Sequence, residues 1–375
     1  MADDPEEEML SWDESVFRNE HVFEIDYVPE SFLHRESQME SLKYALKPAV
    51  RGSRPLNVMA QGPPGTGKTT SVQILFDELR AQTDVQAIRV NCQVNSTRYA
   101  IFSRLFEGVF EYEPPSSGIS FKKLFSQVTD KLVEEDEILV VALDDVNYLF
   151  YESEASDTLY SLLRAHEEQG GAKIGVILIS SDLDLDILEE LDGRVQSVFR
   201  PEDVYFPKYD EPEIAEILQE RAKRGFHEGV IELPVLDRVA ELTAEQGGDL
   251  RVGIDLLRRA GLKAEMRASR HVEAQDVEEA YETSKYVHLS RRLQELSESE
   301  TALVAVIAQE DGKQAGDIYE VFHERTDLGY TRYSEIINKL DQLGIIDASY
   351  TDIDGRGRSR ELTLNYDAEA VTDRI

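Results

Sequence analysis

Cysteine is almost missing from this chain. Cys92 is the single one in 375 residues, which excludes an intrachain disulfide and a cysteine-built metal cage. A reducing, cytoplasmic setting is therefore expected. No apolar run approaches the roughly eighteen residues that cross a bilayer. The first eight residues are acidic, where a secretory leader is basic, so no membrane partner is expected. Lysine is also scarce, with 13 against 27 arginines. Basic residues total 40 against 75 acidic ones, a formal net charge of -35. Such a balance normally argues against nucleic acid. The acid is spread along the whole chain, however, rather than gathered in a tail. That distribution fits a halophilic surface, on which molar salt screens self-repulsion and carboxylates hold water. Global charge then says nothing about DNA, and only local basic clusters count.

What is present centres on Gly62-Pro63-Pro64-Gly65-Thr66-Gly67-Lys68-Thr69, followed by Thr70. An apolar strand-like run over 56–60 precedes it and a helical run over 68–80 follows, the context a phosphate-binding loop requires. The glycines let successive N–H groups curl toward a phosphate at a helix N-terminus. Gly65, Thr66, Gly67, Lys68, Thr69 and Thr70 are the candidate contacts to ATP or ADP. Lys68 would reach the β- and γ-phosphates and the Thr69 hydroxyl would ligate Mg²⁺. Residues 138–143 form a continuous apolar strand that ends in Asp144-Asp145. An acid just beyond such a strand lies beside the phosphate loop and can hold the metal's water shell. This is the Walker B position, with Asp144 as the second metal-side residue. Tyr27 and Val28, ahead of the first strand, are candidates for an adenine shelf.

Strands over 85–92, 138–143 and 174–179 alternate with helices, which predicts an α/β domain with a parallel sheet. One inserted helix, over 120–133, opens with Ser120 as N-cap and carries the adjacent Lys122 and Lys123. The alternation of acids and leucines over 182–192 predicts an amphipathic helix rather than a calcium loop. From 210 to about 286 the pattern turns helical, with segments over 211–224, 234–246, 250–268 and 276–285. Gly247-Gly248-Asp249 caps the third of these and places Arg251 in its first turn. Beyond about 289, helices over 315–325 and 331–343 and two β-like runs, 345–351 and 359–366, predict helix-turn-helix plus hairpin, a winged helix. Arg332, Tyr333 and Ser334 open its recognition helix and are expected to face the major groove. Arg356, Arg358 and Arg360 flank the wing turn and are expected at phosphates or the minor groove. Asn338-Lys339-Leu340-Asp341 matches a guanine-reading pattern but sits within a helix of the wrong module. The expected division is a disordered acidic segment 1–16, an ATPase domain 17–207, a lid 208–287 and a winged helix 288–375.

In order and spacing, the phosphate loop, Asp144-Asp145, Leu191-Asp192-Gly193-Arg194, Gly248-Asp249-Leu250-Arg251 and the terminal winged helix resemble the archaeal Orc1/Cdc6 replication initiators of the AAA+ class. Tyr27-Val28-Pro29, His34-Arg35-Glu36 and Gly118-Ile119-Ser120 add to the likeness, which runs from about residue 17 to the C-terminus. The resemblance implies an α/β AAA+ domain with a helical lid and a C-terminal winged helix. It makes Arg194 the arginine finger and Arg251 the sensor-2 arginine, and it brings the helix from Ser120 to DNA. It also implies duplex origin DNA, the MCM helicase and other copies or paralogues on DNA as partners. Two positions depart from the family: Asp145 stands where a glutamate orients the attacking water, and Ser181 stands at the sensor-1 asparagine. Both touch hydrolysis rather than binding, so a slow ATPase is expected. A branch-migration helicase and a nucleotide-switched transcription regulator share these parts and remain open alternatives.

Overall fold

The computed structural model describes residues 15–375 apart from 30–31, 116–118, 169–170, 184, 295, 349 and 354–356. Of residues 168, 287–288, 291, 342, 350–353 and 357–359 it describes the backbone alone. Most of the expected disordered segment 1–16 thus lies outside the described residues. Two compact units emerge, Glu30–Lys208 and Tyr209–Ile375 together with Met1–Pro29.

The first unit is built on a five-stranded parallel sheet. Its strands are β1 (Val58–Gln61), β2 (Gln86–Asn91), β3 (Ile138–Asp144), β4 (Lys173–Ser180) and β5 (Glu202–Tyr205). They lie in the order β2-β3-β4-β1-β5. β3 is buried along its whole length, as a strand covered on both faces must be. The twofold period divides its side chains between two cores. Leu139, Val141 and Leu143 face Phe102, Leu105 and Leu124 on one side. Val140 and Ala142 face Leu46, Val72 and Phe76 on the other. The inserted helix, Phe121–Glu134, is capped as expected by Ser120, whose hydroxyl accepts from the Lys123 N–H. It packs on helix Arg98–Phe110 through Phe121 and Phe125 against Phe102.

Two local expectations change. The amphipathic helix over 182–192 is cut to the single turn Ile187–Glu190. Asp186 caps that turn and Asp192 caps the next, Gly193–Gln196, because short acidic side chains compete for backbone N–H groups. The crossover from β3 to β4 also contains helix Ala155–Leu163, which periodicity over so short a stretch did not reveal.

The second unit begins with helices Glu211–Gly225, Leu233–Glu245, Leu250–Met266 and Ala274–Gln294. The last continues well past the expected end at 285 and past 287, where the lid was expected to stop. No glycine or proline interrupts it, and its Leu289 and Leu293 join the core of the following module. Residues 17–29, grouped with the α/β domain from chain order, belong to this helical unit instead. Phe17 and Phe23 pack against Phe226 with ring centroids 5.2 and 4.9 Å apart. Small residues make the room: a Cβ on Gly225 would lie 2.2 Å from the Phe23 ring, and one on Gly261 2.4 Å from Phe17.

Three helices follow, Glu298–Gln309, Ala315–Thr326 and Tyr330–Gln342, with strands β6 (Lys313–Gln314), β7 (Ile346–Asp347), β8 (Tyr350–Ile353) and β9 (Gly357–Leu364). β9 pairs antiparallel with β6, β7 and β8. Three helices threaded with an antiparallel hairpin make a winged helix, closed over Leu303, Phe322, Ile336, Leu340 and Leu362. Among the described residues no helix is long and apolar enough to cross a membrane.

Phe23→Ala should lower stability by about 3 to 5 kcal/mol, read from denaturant unfolding in molar KCl. A loss below about 1 kcal/mol would mean that the segment only lies on the helices.

Candidate functional site

β1 ends at Gln61 and the glycine-rich loop turns into helix Lys68–Gln82. Gly65 and Gly67 take φ of 71° and 90°, a region that disfavours any Cβ. At Gly62 a Cβ would lie 2.2 Å from the Phe206 carbonyl oxygen. The Thr66 hydroxyl donates to the Pro63 carbonyl at 2.9 Å and closes the loop on itself. Lys68 is buried, and its Nζ donates to the carbonyls of Gly62 and Pro63 at 2.6 and 2.7 Å. Thr70 follows in the first helical turn, half-buried.

The parallel register carries the ends of β1, β3 and β4 to one edge. There the Thr69 hydroxyl donates to Asp144 Oδ1 at 3.1 Å. A hydroxyl and a buried carboxylate so placed are hard oxygen donors of the kind Mg²⁺ takes. Among the described residues no group of three or more His, Cys, Asp or Glu gathers to hold a metal. A cation here would therefore complete its shell with water and phosphate oxygens, as Mg²⁺ in nucleotide sites does. Asp145 takes φ 54°, which aspartate tolerates better than longer side chains. Asn91 Nδ2 stands 3.5 Å from its Oδ2. Burial and the nearby Asp144 and Asp145 push the Cys92 thiol up, so it stays protonated and inert. Ser181 directly follows Ser180, which registers with Gln61 at the mouth of the loop.

Two arginines make contacts at the loop that the motif reading did not assign. Arg89 on β2 donates to Asp144 Oδ2 at 2.9 Å, from a position diagonal to it on the neighbouring strand. Arg35 is 2% exposed and donates to three carbonyls: Thr66 at 3.0 Å, and His34 and Pro207 at 2.6 Å each. It thereby anchors the phosphate loop to the chain entering the domain and to the end of β5. An arginine flanked by His34 and Glu36 carries no signal for burial, because these partners are backbone carbonyls.

Of the remaining candidates, Arg194 belongs to the ATPase unit, and Arg251, Tyr27 and Val28 to the second unit. Arg194 is exposed and pairs with Asp192, Nε to Oδ2 at 3.0 Å, with Tyr160 beneath its guanidinium. Arg251 forks onto Asp249, its helix's N-cap, at 3.0 and 2.8 Å. Burial raises the Asp249 carboxyl, but the charges of Arg251 and Arg292 outweigh it and hold the pKa at about 2. Tyr27 lies beneath the Arg221 guanidinium, 4.6 Å from its ring centroid, and Val28 is exposed.

On the DNA side, Lys122 and Lys123 are exposed in the first turn of helix Phe121–Glu134. Arg332 is half-buried and pairs with Glu335 at 3.2 Å and Glu300 at 3.7 Å. Ser334 is half-buried. Tyr333 requires a correction. Expected to face the groove, it is fully buried and its hydroxyl donates to the Ala315 carbonyl at 2.6 Å. Its ring shares the face of Ile336, Ile337 and Leu340 that closes the core, so it supports the recognition helix from inside. Arg360 donates to Asn338 at 2.7 Å, tying β9 to that helix. Arg358 lies in β9, its side chain outside the description, and Arg356 falls outside the described residues altogether.

A phosphate loop feeding a parallel sheet of this order, followed by a helical lid, defines an AAA+ ATPase fold. Family comparison agrees, with residues 31–179 matching the AAA ATPase domain and 215–282 the Cdc6 AAA+ ATPase-type lid domain. The chain is 78% identical to ORC1-type DNA replication protein 3 of Haloarcula marismortui and 66% identical to ORC1-type DNA replication protein 6 of Halobacterium salinarum. Both matches cover 100% of each chain. Among solved structures it resembles the Aeropyrum pernix ORC1 protein in complex with DNA, at 29% identity and TM-score 0.67 over 96% of both chains. The Aeropyrum pernix ORC2 protein, in ADPNP–ADP complexes, shares the fold at 24% identity and TM-score 0.73, over 95% of this chain and 98% of that one. The chain belongs to the ORC1-type DNA replication proteins, and both relatives of high identity come from halophiles, as the acidic surface suggests.

Tyr333→Phe removes one buried hydrogen bond and should cost about 1 to 3 kcal/mol of stability. Duplex affinity of the folded variant, measured below its unfolding midpoint, should not change. A sequence-specific loss of affinity would restore Tyr333 to the groove.

Proposed function

We propose that the protein is an ATP-dependent replication initiator that binds duplex origin DNA and helps recruit or load the MCM helicase, with slow hydrolysis as its switch. The contact of Thr69 with Asp144 at the edge of the phosphate loop carries this reading. It sets a metal-binding pair beside the loop that would hold the phosphates. Lys68 is the phosphate ligand, and Mg²⁺, which Thr69 and Asp144 would hold, would supply charge neutralisation for the phosphates. Arg251 senses the nucleotide from the lid, and Arg194, exposed on its own surface, serves a neighbouring copy or paralogue on DNA. Tyr27 and Val28 flank the base. Asp145 polarises water poorly because its carboxylate is one methylene short, and Ser181 offers a shorter donor than asparagine, so turnover is slow. A turnover rate like that of a motor ATPase would count against the switch.

For DNA, Arg332 and Ser334 read the major groove, while the wing arginines and Lys122 and Lys123 hold the backbone. The likeness to the DNA-bound Aeropyrum pernix ORC1 supports this assignment. Mapping the protein on its own genome tests the whole. Enrichment at replication origins is expected, whereas enrichment at promoters alone would favour a transcription regulator. The wing has its own signature. Replacing Arg356, Arg358 and Arg360 together by alanine should weaken binding to specific and scrambled duplexes alike. It should also reduce the salt slope by about one per lost phosphate contact. Unchanged slopes over a KCl series would remove the wing from the interface.

A further inference from the structure

Gln246 ends helix Leu233–Glu245 and is 2% exposed. Every polar atom of its side chain is engaged, and so is its carbonyl. Arg292 Nη2 donates to the carbonyl at 2.7 Å, and Arg292 Nη1 to Oε1 at 3.3 Å. The Tyr366 hydroxyl also donates to Oε1, and Gln246 Nε2 donates to Tyr281 Oη at 2.8 Å. Arg292 Nη1 reaches Tyr366 Oη as well, at 3.0 Å. Arg292 and Tyr366 are themselves buried. Tyr366 stands just past β9, Arg292 near the end of the long helix, and Gln246 in the lid, so three separate parts of the unit close on one polar centre. Gly344, at the foot of the recognition helix, presses on the same turn. A Cβ there would lie 2.7 Å from the Gly247 nitrogen.

The turn these groups grip leads within five residues to Arg251. After Gln246 come Gly247 and Gly248, both with positive φ, then Asp249, which caps the next helix and holds Arg251 in its fork. Asp249 also feels the charge of Arg292. Asp249 thus lies in the field of both Arg251, read above as the nucleotide sensor, and Arg292, which fastens the winged helix. Moving Arg251 off Asp249 would alter the field around Arg292, which is bonded to Gln246 and Tyr366. In a buried network, weakening one bond alters the rest.

We propose that Gln246, Arg292 and Tyr366 form a joint that transmits the position of Arg251 to the seating of the winged helix, coupling nucleotide binding to duplex binding. The inference rests on the functional reading above, in which Arg251 senses nucleotide and the winged helix holds DNA. These three are positioning residues, touching neither ligand. Coupling of this kind is reciprocal, so the factor by which ATP tightens duplex binding equals the factor by which duplex tightens ATP binding.

The test uses the full chain with Tyr366→Phe, which deletes one hydroxyl, and Arg292→Lys, which keeps the charge beside Asp249 but loses the fork. Amide hydrogen exchange without ligand comes first. Residues 246–251 should exchange about tenfold faster in Tyr366→Phe, although position 366 lies far away in sequence. Unchanged exchange would overturn the joint whatever the protein binds. Duplex dissociation constants with and without Mg-ATP come second. Their ratio should fall at least about threefold toward one in both variants, while ATP affinity without DNA stays within about twofold of wild type. A ratio equal to wild type in both variants would overturn the proposal, since a purely structural role changes stability without touching it. If the wild type bound neither ATP nor duplex, the functional reading would fall, and the exchange result would still decide the joint.

Discussion

Thr69 and Asp144 meet because β4 lies between β1 and β3 and pairs in parallel with both. That register brings the carboxyl ends of the strands to one edge, and the rest of the ATPase domain follows from it. The loop leaves β1 there, Asp144 ends β3 there, and Ser181 follows β4 there. A one-residue slip of β3 would turn Asp144 to the opposite face and bury its charge in the core that holds Val90, Val176 and Leu178. The continuous apolar sequence of β3 and β4 would allow such a slip. Arg89 gives the correct register a charge partner and Thr69 a hydroxyl donor, and Arg35 secures the loop from behind.

The second unit rests on a different principle. Its cores are apolar, but its two modules are joined by a long helix and a buried polar centre rather than a hinge. Polar groups at such a junction are costly unless each finds a partner, and here Gln246, Arg292, Tyr281 and Tyr366 supply one another. The outcome is a geometry that apolar packing alone would leave variable.

Much of this was legible in the sequence because the relevant signals are local. A glycine-rich loop between strand and helix, an apolar run ending in acids, and Ser120 and Asp249 as caps each depend on neighbours in the chain. What stayed hidden depends on distant partners. Arg35 is buried because three carbonyls converge on it, and Arg89 finds Asp144 only across a strand pair. Tyr333 misled because a tyrosine at the start of a recognition helix is polar at one end. Its ring nevertheless falls three residues ahead of Ile336, on the apolar side. The N-terminal segment was assigned by chain order, whereas Gly225 and Gly261 open sockets for Phe23 and Phe17 among the helices. Asp186 and Asp192 broke an apparent amphipathic helix because each satisfied backbone donors of its own.

The account stands on ATP occupying the loop from Gly62 to Thr70. Direct titration of labelled ATP into wild type and Lys68→Ala, in molar KCl with Mg²⁺, tests that claim. Saturable binding is expected in the wild type and binding about 100-fold weaker in the variant, both measured well below their ligand-free unfolding midpoints. Equal affinity in the two proteins would contradict it.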